Sequence, residues 1–249
     1  MSQDDIQERI KAQLRPQLPK RFYETVEVCK AEGGYGVLLD GRGIKTAAHK
    51  ALVLPRRALA EPVAREWREQ GEFIEPSTMP MTRLANTALD LVAVNPESVR
   101  AEILGYAGND LVCYRAASPK ALVERQEKYW SPILARVTDK LGVVFKTTTG
   151  MSHVEQSEAA LAAIRGWLEC EGAFSLAAIH TLTTLTGSAL MSWALAQGGL
   201  AEDLVWQAAH VDEDWQSEHW GVDDEAQRRR EAKTDEFMAA ARFLSLAKN

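Results

Sequence analysis

The spacing of apolar residues changes once along this chain, and that change limits the possible folds most. From Phe22 onward, the segment FYETVEVCK alternates apolar and polar residues with the period of two that is typical of β-strands. GGYGVLLDGRGIKT continues with two strand-like runs joined by Asp40-Gly41, which favours a hairpin because glycine accepts positive φ. From Arg56 onward, ALAEPVAREWREQ and most later segments have helical spacing instead.

These patterns predict an α+β fold in two parts. We expect residues 1–95 to form a small β-rich N-terminal domain with one or two helices. We expect residues 96–249 to form a larger all-α C-terminal domain, built as an orthogonal helix bundle. Within it, LAAIHTLTTLTGSALMSWALAQGG is nearly all apolar and indicates a buried central helix or helix pair. Arg83 and Asn86 are candidates to cap or brace the junction between the two domains.

Charge and composition argue against several classes of function. The 249 residues carry a net charge of -6, whereas nucleic-acid-binding proteins usually display a basic patch or stripe. No apolar run is long enough to span a bilayer, so we expect no membrane partner. The acidic N-terminal residues do not suit a transit peptide, and no apolar signal core follows, which favours a cytoplasmic location. The three cysteines lack zinc spacing, and we expect a monomer without cofactors.

Residues 206–225, WQAAHVDEDWQSEHWGVDDE, form the most unusual segment of the chain. It combines three tryptophans with seven carboxylates, although carboxylates are rarely fully buried unless they are paired. On one continuous helix, five of its residues would share a narrow face: Trp206, Ala209, Glu213, Gln216 and Trp220. Glu213 would then project from a stripe that should be apolar.

The role of Glu213 stays open at this point. It is either a buried acid that an internal arginine or backbone donors satisfy, or part of a recognition site that the nearby acids complete. A hydrolase that uses the acids and histidines of residues 210–225, with or without a metal, is an alternative. His210 and His219 are nine residues apart, however, which places them on different sides of one helix, and no HExxH spacing occurs. Phosphate-loop, Rossmann and GxSxG motifs are also missing.

A second polar cluster lies within the segment SVRAEILGYAGNDLVCYRA, which we expect to be helical. It contains Asp110, Tyr114 and Arg115. An Asp–Arg pair inside a helix is usually structural. Cys113 has no histidine nearby in the sequence, and we interpret it as a core thiol.

Several segments resemble those of a known protein family. They are RFYETVEV, LLDGRGIKT, ALAEPVAREWREQ, IEPSTMPMTRLANTALD, NDLVCYRA, LVERQEKYWSPIL, GSALMSWAL and VDEDWQSEHWGVDDEA, and they extend from about Arg21 into the last helix. MPMTRLANTALD, DLVCYRA and the pattern E..WQ...WG.D.EA are specific in combination. The chain is similar to the assembly chaperones of the F-type ATP synthase, in particular the family that binds the free alpha subunit of the catalytic head.

The resemblance implies a chaperone without enzymatic activity. Such a protein holds the unassembled alpha subunit, covers the surface that later contacts beta, and prevents aggregation. The resemblance also implies functional acids in the helical domain, which match Glu213 and Asp223 or Asp224 here. Together with Gln216 and Trp220, these are the predicted client-binding residues. Eukaryotic members are mitochondrial, so this chain resembles a bacterial, cytoplasmic relative. A non-selective holdase remains an alternative.

Overall fold

The N-terminal part of the molecule contains a small antiparallel sheet. The computed structural model describes residues 18–150, 152–221 and 224–248. The strands of this sheet are β1 (Val26–Ala31), β2 (Gly34–Leu39), β3 (Arg42–Gly43) and β4 (Val53–Leu54). Strand β2 pairs with each of the others, and its register with β1 places Val26 opposite Leu39. The predicted strands are therefore confirmed, although β1 begins at Val26 and not at Phe22.

The turn between β2 and β3 has the geometry that its sequence predicts. Asp40 and Gly41 both have positive φ, 48° and 77°, which is the backbone twist that a two-residue hairpin requires. The Asp40 carboxylate accepts hydrogen bonds from the backbone N–H groups of Glu24 and Thr25 and from the Thr25 hydroxyl. These bonds hold the pKa of Asp40 below its usual range. They also attach the chain that enters β1 to the hairpin.

The rest of the described chain is mainly helical. The α-helices are α1 (Arg57–Arg68), α2 (Pro80–Thr87), α3 (Pro96–Gly108), α4 (Lys120–Leu141), α5 (Glu158–Glu169), α6 (Ala173–Thr186), α7 (Ala189–Ala196), α8 (Glu202–Ala209), α9 (Val211–Trp220) and α10 (Asp224–Lys248). Helix α2 continues as a π-helical turn, Ala88–Val92. Among the described residues, none of the helices combines the length and the apolar character that crossing a membrane requires.

A side chain from α1 fixes the start of α2. The Glu66 carboxylate accepts hydrogen bonds from the backbone N–H groups of Met81 and Thr82, at 2.6 and 2.8 Å, and from the Thr82 hydroxyl. The first N–H groups of a helix lack partners within the helix, and a carboxylate there also suits the positive end of the helix dipole. Burial nevertheless raises the pKa of Glu66, against the lowering effect of these bonds.

One hydrophobic cluster runs through both predicted domains. It contains Leu54 of β4, Leu59 of α1, Leu84 of α2, Trp193 of α7 and Phe243 of α10. Helix α2 packs against α6 and α10. The division at residues 95 and 96 remains a prediction, because the two parts share this core.

The two residues predicted at the domain junction behave differently. Arg83 forms an ion pair of 3.5 Å with Glu236 of α10, so it links α2 to the last helix. The side-chain oxygen of Asn86 is buried and has no hydrogen-bond partner among the described residues. This oxygen therefore caps no helix in that part of the chain.

The predicted buried helix pair is confirmed, but the helix expected through Arg115 is not. Helices α6 and α7 are separated at Gly187, whose φ of 68° ends α6. Helix α3 ends at Gly108, and the chain continues as a 3₁₀ turn and a short strand β5 (Tyr114–Arg115). This strand pairs in parallel with β6 (Thr148–Thr149). The Asp110 side chain caps the 3₁₀ turn by accepting from the N–H of Val112, which favours the turn over a continued helix.

Candidate functional site

The segment that combines tryptophans and acids forms two helices and not one. Helix α8 ends at Ala209 and α9 begins at Val211, with His210 between them. His210 is 4% exposed, and its Nδ1 lies 2.8 Å from the carbonyl oxygen of Trp206. The single face expected for Trp206, Ala209, Glu213, Gln216 and Trp220 is therefore wrong, because the first two belong to a different helix.

Trp206 is part of the core and is almost fully shielded from solvent. It is 7% exposed, and its ring lies 3.9 Å from the ring of His210 and 4.8 Å from that of Phe237, measured between centroids. These contacts attach the corner between α8 and α9 to the last helix, α10. The start of α9 is thereby held by buried aromatic packing.

Three acids of α9 are held by other side chains of the protein. Asp212 accepts a hydrogen bond of 2.7 Å from Nε2 of Gln126. Asp214 forms an ion pair with Arg230. Glu218 accepts from Nη1 of Arg125 through both carboxylate oxygens, at 2.8 Å each. These contacts attach α9 to α4 on one side and to α10 on another.

Glu213 differs from its acidic neighbours. Its side chain is 67% exposed, and one of its carboxylate oxygens lies 3.8 Å from Nε2 of His210. No lysine or arginine within the described ranges lies within 4.0 Å of its carboxylate. The interpretation of Glu213 as a buried structural acid is therefore wrong. Gln216, one turn further along α9, is also exposed, so the two residues offer polar groups on one helix face.

The remaining predicted site residues fall where the structure gives no side-chain description. Asp223 lies outside the described residues, and so do the side chains of Trp220 and Asp224. Trp220 ends α9 and Asp224 begins α10. Their assignment as client-binding residues stays a prediction from the sequence.

The metal-dependent alternative finds no geometric support in the described residues. Among them, no group of three or more His, Cys, Asp or Glu side chains is arranged to hold a metal ion. His210 and His219 each place Nδ1 2.8 Å from the carbonyl oxygen of the residue four positions earlier, Trp206 and Trp215. Nδ1 of each ring is therefore occupied by a backbone contact four residues earlier in the chain.

The structure reveals a buried carboxylate whose partners the sequence analysis missed. Asp110 is fully buried and accepts hydrogen bonds from the Ser188 hydroxyl at 2.6 Å and from the Leu190 N–H at 3.0 Å. It forms no ion pair with Arg115. Burial raises the pKa of Asp110 to about 6, although these bonds act to lower it. Asp110 therefore attaches the 3₁₀ turn after α3 to the start of α7.

Comparisons with known proteins identify the class of this chain. A family model described as ATP12 chaperone protein matches residues 20–138. The crystal structure of Atp12 from Paracoccus denitrificans has a TM-score of 0.87 and 35% identity, over 92% of this chain and 98% of that one. The Atu1473 protein from Agrobacterium tumefaciens has a TM-score of 0.89 and 44% identity, over 95% of this chain and 89% of that one.

A more distant relative comes from a eukaryote. The mitochondrial protein atp12 of Schizosaccharomyces pombe is 22% identical over 238 residues, which span 91% of this chain and 82% of the relative. Together, the matches define the molecule as a chaperone with this α+β fold. The chain belongs to the ATP12 chaperone family. The family predicted from the sequence motifs is thereby confirmed, and so is the predicted fold class.

Proposed function

We propose that this chaperone binds the free alpha subunit of the F-type ATP synthase and keeps it from aggregating until it assembles with beta. Family membership supports the role of an assembly chaperone. The choice of the alpha subunit follows from the resemblance of the sequence motifs. The proposed role needs neither a catalytic residue nor a cofactor, and we place it in the bacterial cytoplasm with a monomeric chaperone.

The exposed face of α9 is the part of the molecule that suits this role. An unassembled subunit exposes an apolar interface with charged residues around it. A chaperone for such a surface needs polar groups that are not already paired within its own fold. Glu213 meets this condition because it is exposed and has no lysine or arginine partner in the described chain. This observation carries the proposal.

Glu213 would bind an arginine or an amide of the client that beta later occupies. A charge-assisted hydrogen bond to a carboxylate is stronger than a neutral one, particularly when binding removes water from the pair. Gln216 would add an amide on the same face. Trp220, Asp223 and Asp224, which come later in the sequence, would extend the contact.

Selective capture of the client tests the proposed function. The full-length chaperone is immobilised and exposed separately to free alpha subunit, free beta subunit and an unrelated protein that aggregates. We expect capture of alpha and protection from aggregation, measured by light scattering, with little effect on the other two. Equal protection of all three would instead indicate a non-selective holdase. Failure of folded chaperone to capture alpha would contradict the proposal.

A further inference from the structure

A cavity of about 550 Å³ lies between α4 and the short parallel pair formed by β5 and β6. Neither Glu213 nor Gln216 lines this cavity, although α9 also packs against α4. Hydroxyl groups are contributed by Ser131, Thr147 and Thr149, and apolar surface by Val123 and Leu134.

Arg115 supplies the positive charge in the lining of this cavity, and its side chain is held in place. Its Nε donates to the carbonyl oxygen of Val112 at 2.9 Å, and its Nη1 donates to that of Gln126 at 3.1 Å. The guanidinium carbon lies 5.1 Å from the centre of the Trp130 ring. Trp130 is fully buried. The guanidinium is therefore oriented before any ligand arrives, which reduces the entropy cost of binding.

Arg115 forms no ion pair with an acid among the described residues. No carboxylate of the described residues lies within 4.0 Å of its guanidinium, and Nη2 makes no hydrogen bond within the same residues. Partial burial lowers the pKa of Arg115 below its ordinary value, which reflects the cost of removing a cation from water. Glu127 also lines the cavity, and its charge acts to raise the pKa of Arg115, but its carboxylate lies beyond ion-pair distance. An anion bound beside Nη2 would offset this cost.

We propose that this cavity binds a carboxylate of the client protein, with Arg115 as the residue that contacts it. A fixed guanidinium with a free N–H group, hydroxyls around it and an apolar wall suits an acidic side chain or a C-terminal carboxylate. That the carboxylate belongs to the client rests on the proposed function.

The cavity and the α9 face would act on opposite charges of one client. Gln126 connects them: its side chain donates to Asp212 of α9 and accepts from the N–H of Ala116, which lines the cavity. Gln126 is 2% exposed, so water does not compete for these two hydrogen bonds. Glu213 would select a basic group of the client and Arg115 an acidic one, and such complementary charges favour one partner over others.

A matched pair of variants on α4 tests the role of the cavity. Ser131 is exposed and lines the cavity, whereas Ala121 is exposed on α4 outside it. In Ser131→Glu, the new carboxylate would compete for Arg115, and we expect the Kd for the alpha subunit to rise about tenfold, as for loss of one charge-assisted contact. Ala121→Glu adds the same charge and should leave the Kd unchanged. Glu127→Gln removes a competing acid and should lower the Kd.

Peptides test the cavity without the client. The NMR resonance of the Arg115 Nε–H group is followed during titration with three short peptides. One has a single glutamate and blocked ends, one has only a free C-terminal carboxylate, and one has a glutamine and blocked ends. We expect a saturable shift with at least one carboxylate peptide, which identifies the source, and none with the glutamine peptide. The shift should disappear in Ser131→Glu.

The outcomes separate this inference from the proposed function. If no peptide shifts the resonance, or if Ser131→Glu responds like the unaltered protein, the carboxylate site is overturned. If the alpha subunit binds but Ser131→Glu and Ala121→Glu have equal affinities, the cavity has no part in client binding and the inference is also overturned. If the peptides bind as expected while the alpha subunit does not bind at all, the proposed function fails and the carboxylate site stands.

Discussion

The corner between α6 and α7 and the corner between α8 and α9 use carboxylates in opposite ways. At the first, Asp110 is fully buried and accepts from two backbone N–H groups and a serine hydroxyl. At the second, Glu213 is 67% exposed and is left with a histidine at 3.8 Å. Both acids come from segments that also contain tryptophan or other large apolar residues. Burial and the number of donors, and not the residue type, separate a structural carboxylate from one available to a partner.

Removal of the buried carboxylate should have the largest effect. In Asp110→Ala, the Ser188 hydroxyl and the N–H groups of Val112 and Leu190 lose their acceptor inside the core. We expect the free energy of unfolding to fall by about 3 to 5 kcal/mol, since each buried unsatisfied group is costly. Urea denaturation measures the change. A loss below about 1 kcal/mol would show that water or a rearrangement replaces the carboxylate. The buried acid would then be no more structural than the exposed one.

The pH dependence of stability should distinguish the same carboxylate. The pKa of Asp110 is raised in the folded protein to about 6 from an ordinary 3.8, so the folded state binds the proton more tightly than the unfolded state. Lowering the pH from 7 to 5 should therefore increase the contribution of this group to stability, by about 1.4 kcal/mol. The measurement compares unfolding free energies of the unaltered protein and Asp110→Asn at both pH values. A difference that stays constant or shrinks on acidification contradicts this expectation.

The carboxylate of Glu66 is partly buried, so it lies between the fully buried Asp110 and the exposed Glu213. Glu66→Gln keeps the shape of the side chain but removes the charge at the start of α2 and turns an amide donor toward the N–H groups of Met81 and Thr82. We expect a loss of about 1 to 2 kcal/mol, comparable with losing a helix cap. Thermal and urea unfolding would measure it. A loss as large as that of Asp110→Ala would mean that the degree of burial does not determine how much each carboxylate contributes to the free energy of unfolding.

A paired but exposed acid on α9 should contribute least to stability. Arg125→Met removes the partner of Glu218, whose side chain is 55% exposed. Exposed ion pairs contribute about 0 to 1 kcal/mol, so we expect a loss of about 0.5 kcal/mol in urea denaturation. This variant shows what the ion pair between Arg125 and Glu218 contributes to the attachment of α9 to α4. A loss above about 2 kcal/mol would indicate that the ion pair holds the whole α9 corner in place.

Local backbone chemistry explains which elements the sequence could predict. Asp40-Gly41 predicts its hairpin because the signal and its cause lie in the same two residues. The apolar run of α6 and α7 predicts burial because a helix that is apolar on all sides has no face suited to water. Glu213 and Gln216 could be placed on one face because both lie within α9, where helical spacing applies.

The features that sequence analysis missed depend on contacts between distant residues. The break at His210 has no glycine or proline to mark it, and its side chain instead contacts the Trp206 carbonyl oxygen. The partner of Asp110 is Ser188, 78 residues away in the chain, whereas the sequence suggested the nearby Arg115. The cavity around Arg115 likewise requires β5 and β6 to pair. No local pattern in these segments contains that information.

The affinity of Glu213→Gln for the free alpha subunit tests the central claim most directly. The matched control is Glu169→Gln, which alters an exposed acid on α5. We expect Glu213→Gln to raise the Kd about tenfold, as for loss of one charge-assisted contact, while Glu169→Gln has no effect. The melting temperatures of both variants should stay within about 2 °C of the unaltered protein, since exposed substitutions change stability little. Unchanged affinity in Glu213→Gln, or weaker binding that accompanies a large fall in melting temperature, would contradict the account.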